Sequence, residues 1–432
     1  MPSVRLNHFQ RMMLEWDRIH PYNATHTVSL TGTLDAPALR QAIHDTYRKA
    51  GIGQLILDPK QRKIRYAPID RIELRELRAT SDVEESLRTV ICKEMNASFP
   101  DGPHDPLRWI VLDDAASDAH HIVLAYHHVA GDAYCIQMLL ALILHRYLGL
   151  SPYPESLNLH ATLPSSELQS KRRFSRPKAI ISLGSSIRQY FRLRSAHRMH
   201  YDRSGHSHTD LLLHAAPQGM LEHLRAACKA GGVGLNDVFL AAITAAIAEM
   251  SPARRTHRRR RKVAVATVVN HRSATAENRS SFFGVCIDDA VVLVDRPDAA
   301  FRDLLAQIAP QTRRLRLSRG TMEPSWRFLF VKYLWPGLRI PHCEASYRKV
   351  FPLCAGVSTV TIDNKLFGKS TEHVRRYVRA CPPGPAMPMV LSPTVAGKQL
   401  ELGLVFRPSC VDRAKAEALM GKVVELLDEF AC

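Results

Sequence analysis

Apolar positions recur at helical spacing near the start of the chain. Residues 6–19 place an apolar side chain at about every third or fourth position, which predicts an amphipathic helix. Pro21 disfavours helix at the residue before it and is expected to end this segment. Residues 26–30 predict a strand. Residues 37–49 predict a second helix, because a proline stands at its start and Gly51 lies just beyond its end.

Two β-rich runs in the first half predict a hairpin. Arg108–Asp114 and His120–His127 favour strands and are separated by the polar stretch 115–119. The second run leads directly into the polar turn His127-His128-Val129-Ala130-Gly131-Asp132 and then into an apolar helix predicted over 134–148. The order strand, polar turn, helix is a common setting for chemistry.

Helices and strands alternate again after residue 208. The pattern predicts helices over 221–229, 236–250 and 412–429, and strands over 262–269, 286–294, 356–362 and 399–406. Residues 163–208 lose the pattern and are rich in Ser, Arg, Lys and Pro. A chain of 432 residues is also longer than one hydrophobic core usually grows. We therefore expect an N-terminal lobe over 1–162, a basic linker or crossover over 163–208 and a C-terminal lobe over 209–432.

The net charge of +18 is concentrated in two windows. Lys171–Arg203 holds ten basic residues against one aspartate, and Arg254–Lys262 holds seven against none. The rest is nearly neutral, so no protein-wide nucleic-acid surface is expected. The first window fits a solvated linker, a docking face for an acidic carrier protein or the phosphates of CoA, or a basic amphipathic segment on a membrane surface. The second window predicts an exposed, flexible hairpin.

Other features indicate the cellular setting. The nine cysteines form no CxxC pair, which argues against a structural zinc site and a disulfide framework. The start of the chain shows no signal peptide, and the longest apolar run, Met138–Leu144, is too short to cross a bilayer. We expect a cytoplasmic protein and leave membrane association open. The aromatic run Trp326–Trp335 favours core packing over an acyl tunnel or membrane contact.

The turn after the second β-rich run carries the candidate chemistry. An imidazole is the side chain best suited to accept a proton near neutral pH. Successive strand residues point to opposite faces, so only one of His127 and His128 is expected to reach a given cavity. His120 and His121 could join them in a metal cluster. No carboxylate or thiolate stands at ligand spacing, however, and no metal is expected.

Several motifs, taken together, resemble one known group of enzymes. They are Leu6-x-x-x-Gln10-Arg11 with Trp16, Tyr22-Asn23, Gly32-x-Leu34-Asp35-x-x-x-Leu39-x-x-Ala42, His127-His128-x-x-x-Asp132, Leu235-Asn236-Asp237-Val238-x-Leu240-Ala241-Ala242, and Val265–Arg272 followed by Phe283-Gly284. Over nearly its full length the chain resembles the CoA-dependent acyltransferase superfamily. That superfamily includes nonribosomal-peptide condensation domains, chloramphenicol-acetyltransferase-like enzymes and polyketide-associated acyltransferases.

The resemblance implies a fold and a set of site residues. The fold would be two mixed α/β lobes, each like chloramphenicol acetyltransferase, forming a V-shaped pseudo-dimer with a central channel. His128 would be the catalytic base, and Asp132 would be structural, with Arg272 from the other lobe as its ion-pair partner rather than an incidental surface pair. Gly131 would let the loop backbone approach the acyl donor, and His127 would support the loop. No residue is implied to bind a cofactor or a metal.

The resemblance also implies a reaction. An acyl group would move from a phosphopantetheine thioester, either acyl-CoA or an acyl carrier protein, to a hydroxyl or amine acceptor, in secondary-metabolite or lipid biosynthesis. We expect a monomer that needs no metal or redox cofactor. The acyl chain, the acceptor atom and the choice between CoA and carrier protein are not specified by the sequence.

Two other functions stay open at this point. One is a catalytically silent, condensation-like scaffold that binds a carrier protein. The other is a peripheral wax-ester or glycerolipid acyltransferase that contacts an anionic membrane. Ala133 stands where the superfamily usually has glycine, and no Asp-Phe-Gly-Trp-Gly segment is present, which disfavours the plant alcohol-acyltransferase branch. The sequence contains no carrier or adenylation segment, so we expect a free-standing protein.

Overall fold

The computed structural model describes residues 3–58, 62–150, 159–161, 190–202, 208–272, 281–317 and 340–432, with side chains from 343 onward in the last range. Most of the predicted linker over 163–208 lies outside the described residues, as does most of the first basic window. The aromatic run at 326–335 lies outside them entirely.

The chain alternates helices and strands throughout these ranges. The helices are α1 His8–Asp17, α2 Ala36–Ala50, α3 Val83–Asn96, α4 Ala133–Tyr147, α5 Met220–Gly231, α6 Leu235–Met250, α7 Phe301–Leu317, α8 Ile340–Val350, α9 Asn364–Phe367 and α10 Arg413–Ala431. The strands are β1 Ser3–Arg5, β2 Asn23–Thr31, β3 Gln54–Asp58, β4 Lys63–Ala67, β5 Leu74–Arg78, β6 Leu107–Asp114, β7 Ala119–His127, β8 Asp210–Ala215, β9 Val263–Asn270, β10 Ile287–Val294, β11 Ala355–Val357, β12 Val360–Ile362, β13 Val374–Ala380, β14 Met389–Ala396 and β15 Gln399–Phe406.

The strands of the described residues form three sheets. A five-stranded sheet has the order β13-β2-β7-β6-β5. The largest sheet has the order β10-β9-β11-β14-β15-β8, with β12 added beside β14. A small sheet has the order β1-β4-β3. The predicted hairpin is confirmed, because β6 and β7 pair antiparallel with Trp109 opposite Leu124. The strand predicted over 356–362 is divided into β11 and β12.

One strand of the five-stranded sheet comes from the range predicted as the C-terminal lobe. β13 comes from the C-terminal part of the chain but pairs antiparallel with β2. Phe282, Phe367 and Tyr377 also belong to the first hydrophobic cluster, with residues of β2 and β7. Residues from the range 209–432 thus contribute to the first sheet and to its apolar cluster, and the lobe boundaries stay a prediction. β2 is buried at all but its last residue, and β13 pairs with backbone groups that would otherwise form an open sheet edge.

Separate clusters of apolar side chains stabilise the two halves and join them. The first cluster packs α2 and α4 on the five-stranded sheet, and the second packs α5, α6 and α10 on the largest sheet. A third cluster brings Phe9 and Trp16 of α1 against Ala266 of β9, with Tyr347 of α8. The predicted amphipathic character of α1 is thus explained, because its apolar face lies against the second half of the chain.

Most residues of the second basic window are exposed, as its sequence predicts, but the window begins within a 3₁₀ turn and its first arginine is buried. Pro252–Thr256 forms a 3₁₀ turn in which Arg254 is only 2% exposed. The guanidinium of Arg254 pairs with Asp298, and Lys262 Nζ lies 2.9 Å from Asp295 Oδ1. The aspartates that follow β10 thus neutralise part of the window and hold it against the domain.

In the described part of the chain, no single helix has the length and apolar character needed to span a membrane. The pair α5 and α6, bent by 99°, meets that test on length and composition only.

Candidate active site

The loop between β7 and α4 is fixed from several directions. Its backbone is held by Tyr22, whose carbonyl accepts a hydrogen bond from His128 N at 3.2 Å. Gln10 of α1 donates from Nε2 to the carbonyl of Val129 at 2.8 Å. Asp132 is the N-cap residue of α4 and accepts a hydrogen bond from Cys135 N at 3.1 Å. The loop therefore has one defined conformation at the end of a central strand.

The imidazole of His128 is buried and held in one tautomer. Its Nδ1 lies 3.0 Å from the carbonyl oxygen of Gly131, which can only accept a hydrogen bond. Nδ1 must therefore carry the proton, which leaves the lone pair on Nε2. The ring stacks on Tyr22 at a centroid distance of 5.5 Å and an interplanar angle of 17°. Burial lowers the pKa of His128, against the opposing effects of Gly131 and Asp132, so the ring is neutral at pH 7.

Asp132 and Arg272 form a buried ion pair between the two halves of the chain. Arg272 Nη2 lies 2.8 Å from Asp132 Oδ1 and 2.9 Å from Oδ2, while Nε lies 3.2 Å from Oδ2. Asp132 is fully buried and also accepts a hydrogen bond from Cys286 N at 2.8 Å. Burial alone would lower the pKa of Arg272, but Asp132 raises it above its ordinary value. Arg272 therefore stays charged, and its hydrogen bonds to Asp132 hold the loop to the second half of the chain.

Gly131 is explained by packing within the protein. A Cβ placed on it would lie 2.8 Å from Cys135 Sγ and 3.6 Å from Cδ1 of Ile136. Both contacts belong to the first turn of α4. That the absent side chain also gives room to an acyl donor stays a prediction.

His127 lies away from His128 in a different environment. It stacks on Phe99 at a centroid distance of 5.2 Å, and its Nδ1 is 3.4 Å from His104 Nε2. Its Nε2 is 3.6 Å from Asp17 Oδ2. Burial, with the neighbouring His104, lowers the pKa of His127 to about 3. Of the two histidines, only His128 lines the cavity described next.

The remaining histidines of β7 are engaged elsewhere. His120 Nδ1 lies 2.8 Å from the carbonyl of Gly32, and His121 Nδ1 lies 2.7 Å from Ser29 Oγ. No group of three metal-ligating side chains is found among the residues that the structure describes. The described cysteines are all free thiols.

A cavity of about 240 Å³ lies beside His128 and has walls from both halves of the chain. Phe9 and Trp16 of α1 form part of its apolar lining. Its polar lining includes Asp289 of β10 and Arg379 of β13. The cavity therefore combines a neutral imidazole with groups of both charges.

Some residues of this site carry no role in the sequence predictions. Tyr22 and Gln10 stand in the quoted motifs, but only the structure shows that they hold the loop of His128. Arg379 was missed altogether. It stands in the run Val374-Arg-Arg-Tyr-Val-Arg379, which has the sequence of a basic surface strand, and no local signal distinguishes it from Arg375.

Comparisons with known proteins identify solved structures with a similar fold. No protein-family model and no curated protein sequence matches the chain. Among solved structures, the TRI3 trichothecene 15-O-acetyltransferase from Fusarium sporotrichioides is similar with a TM-score of 0.74 and 10% identity, over 99% of this chain and 95% of that one. The first condensation domain of the calcium-dependent antibiotic synthetase, in complex with a substrate analogue, gives 0.70 and 16% over 100% and 97%.

A third similar structure is a mutant of the starter condensation domain of rhizomide synthetase in complex with C8-CoA and Leu-SNAC. It gives a TM-score of 0.68 and 13% identity over 99% of this chain and 94% of that one. All of these likenesses extend over essentially the whole chain. The chain therefore has the fold of condensation domains and of the related acyltransferases, built from two chloramphenicol-acetyltransferase-like lobes.

Proposed function

We propose that this protein is an acyltransferase in which His128 is the general base. The protein moves an acyl group from a phosphopantetheine thioester to a hydroxyl or amine acceptor that binds in the cavity. The observation that carries the proposal is the neutral His128 ring, whose Nδ1 donates to Gly131 and whose Nε2 is left as a base at the cavity wall.

The reaction follows from this geometry. Nε2 of His128 accepts the proton of the acceptor group as that group attacks the thioester carbonyl. The tetrahedral intermediate collapses with cleavage of the carbon–sulfur bond, and the thiolate takes the proton back from His128. The products are an ester or amide and a free thiol, and His128 returns to its starting state. Asp132 does not exchange protons in this scheme, because its two oxygens are bonded to Arg272, Cys135 and Cys286.

The donor is a thioester of CoA or of a carrier protein. Both are anionic, and both would be attracted by a chain whose net charge is +18. A neighbour of the same fold has been solved with C8-CoA and Leu-SNAC, which supports a thioester donor and an amine acceptor as reagents to test first.

The test is release of free thiol from acyl-CoAs and acyl carrier proteins of short to long chain, with pooled alcohol and amine acceptors. His128→Ala is expected to reduce acceptor-dependent release by about 10²–10⁴-fold, the usual contribution of a general base. The matched control is His121→Ala, since His121 is a buried histidine of β7, the strand that leads into the loop of His128, and does not line the cavity. It is expected to keep the wild-type rate.

Other outcomes would redirect the proposal. Release that survives His128→Ala would move the chemistry to another residue. Binding of an acyl carrier protein with no release from any donor would favour the scaffold. Release that requires anionic vesicles, together with cosedimentation abolished by salt, would favour the peripheral membrane enzyme.

A further inference from the structure

Arg379 is a buried guanidinium in the wall of the cavity that contains His128. It stands on β13, directly opposite His26 of β2, and is 2% exposed. β13 is the strand that the second half of the chain adds to the first sheet. Arg379 is therefore placed at the cavity by the fold, through pairing between residues far apart in sequence.

The hydrogen-bond acceptors of this guanidinium include no carboxylate. Nε donates to His26 Nε2 at 3.3 Å, and Nη1 donates to the carbonyl of Ser358 at 3.2 Å. Nη2 donates to Ser358 Oγ at 3.3 Å and to Cys381 Sγ at 3.1 Å. Because His26 accepts at Nε2, its proton is on Nδ1 and is donated to the hydroxyl of Tyr377 at 2.6 Å. His26 supplies no counter-charge, because an imidazole is either neutral or positively charged, and burial lowers its pKa well below the ordinary value and keeps it neutral.

No carboxylate lies within ion-pair distance of Arg379 among the residues that the structure describes. Asp289 lines the same cavity but forms no ion pair with it. Two other arginines that are equally buried differ in this respect. Arg272 is paired with Asp132, and Arg254 with Asp298. A buried charge is unfavourable unless it is paired, so Arg379 lacks the counter-charge that the other two possess.

We propose that Arg379 is an anion-binding site and that the acceptor of the reaction carries a carboxylate that pairs with it. This inference rests on the proposed function, because it places the acceptor in the cavity beside His128. These contacts use four of the five N–H groups of Arg379, and the second N–H of Nη1 is left to donate a charge-assisted hydrogen bond to a carboxylate. A small carboxylate also suits a cavity of about 240 Å³ better than a phosphate, whose greater charge would lie in the same space as Asp289.

Acceptor binding would also act on the base. The positive charge of Arg379 is one of the causes that lower the pKa of His128. A carboxylate paired with Arg379 would cancel that effect and make Nε2 of His128 more basic. The acceptor would thus strengthen the base that removes its own proton.

The experiment measures binding and does not depend on turnover. The probes are 3-hydroxypropionate, 4-hydroxybutyrate and 6-hydroxyhexanoate, each compared with its primary amide by isothermal titration calorimetry on the full chain. Each pair differs in charge, and the series varies the spacing between hydroxyl and carboxylate. The wild-type protein is expected to bind at least one acid roughly tenfold or more tightly than its amide, as charge-assisted hydrogen bonds require.

Variants of single arginines test whether Arg379 is the group that favours the acid over its amide. Arg379→Gln is expected to bring the acid-to-amide ratio close to one, while Arg379→Lys keeps the positive charge and is expected to retain part of the preference for the acid. The matched control is Arg375→Gln, an arginine of the same strand that is exposed and donates to the carbonyl of Ser117. This control is expected to keep the wild-type ratio. Circular dichroism checks that each variant is folded.

Either of two results would overturn the inference. One is a wild-type protein that binds none of the acids more tightly than its amide, a result that does not depend on any variant folding. The other is a charge preference that survives in folded Arg379→Gln. Failure of the acyl-transfer proposal is recognised separately, because thiol release reports on His128 and this titration does not.

Discussion

The protonation state of His128 gives the first prediction at the scale of single residues. Its imidazole acts as a base only when neutral, and burial lowers its pKa from the ordinary 6.5. Protonation therefore requires a pH below 6.5. We expect kcat/KM for acyl transfer to be constant at neutral pH and to fall only as the pH drops below that value. The measurement is a pH profile of thiol release with a saturating donor.

A control variant tests whether another buried histidine causes the loss of activity at low pH. His121→Ala leaves the cavity unchanged and should give the same profile as the wild type. An acid limb centred above pH 6.5 would mean that the folded protein favours the protonated ring, contrary to the buried environment of His128.

The site residues differ in how far the sequence could identify them. His128, Asp132 and Arg272 stand in motifs with recognisable spacing, and the structure brings the last two together at 2.8 Å. Arg379 could not be found in this way. The position of Arg379 in the cavity depends on the pairing of β13 with β2, and the sequence around Arg379 does not indicate which strand pairs with β13.

At the scale of elements, the start of α4 depends on the close contact between Gly131 and Cys135. A Cβ on residue 131 would lie 2.8 Å from Cys135 Sγ, so Gly131→Ala overpacks the first turn. We expect the free energy of unfolding to fall by about 1–3 kcal/mol, as measured by urea denaturation. Adding Cys135→Ala removes the sulfur and should recover part of that loss, which a double-mutant cycle would show.

Gly421 of α10 provides the matched glycine. A Cβ there has no neighbour within 4 Å, so Gly421→Ala should be neutral or slightly stabilising in a helix. If Gly131→Ala were equally neutral, the contact with Cys135 would not be what requires glycine at the turn.

Elements with strong periodicity were predictable and those defined by tertiary pairing were not. α6 is apolar along most of its length, and β15 is found at the residues predicted, Gln399–Phe406. β13 contains three arginines in seven residues and has no apolar alternation. It is a strand because the edge of β2 needs a partner, and that requirement is invisible in the segment itself.

At the scale of the whole molecule, the two halves are joined by three different kinds of contact. β13 completes the first sheet, Arg272 pairs with Asp132, and α1 packs its apolar face between β9 and α8. The cavity lies among these contacts and takes lining residues from each side. The five-stranded sheet therefore includes a strand, β13, from outside residues 1–162.

The last prediction is that the N-terminal part cannot fold without the rest of the chain. A fragment of residues 1–205 lacks β13, so the buried strand β2 becomes an exposed edge, and Asp132 keeps a buried charge without Arg272. We expect the fragment 1–205 to aggregate when it is expressed alone. Coexpressed with residues 206–432, it should copurify as a soluble complex, and Arg272→Ala in the second fragment should weaken that complex, as measured by size-exclusion chromatography. A soluble, monomeric fragment 1–205 with native circular dichroism would show that β13 and Arg272 are not needed for the first sheet to fold.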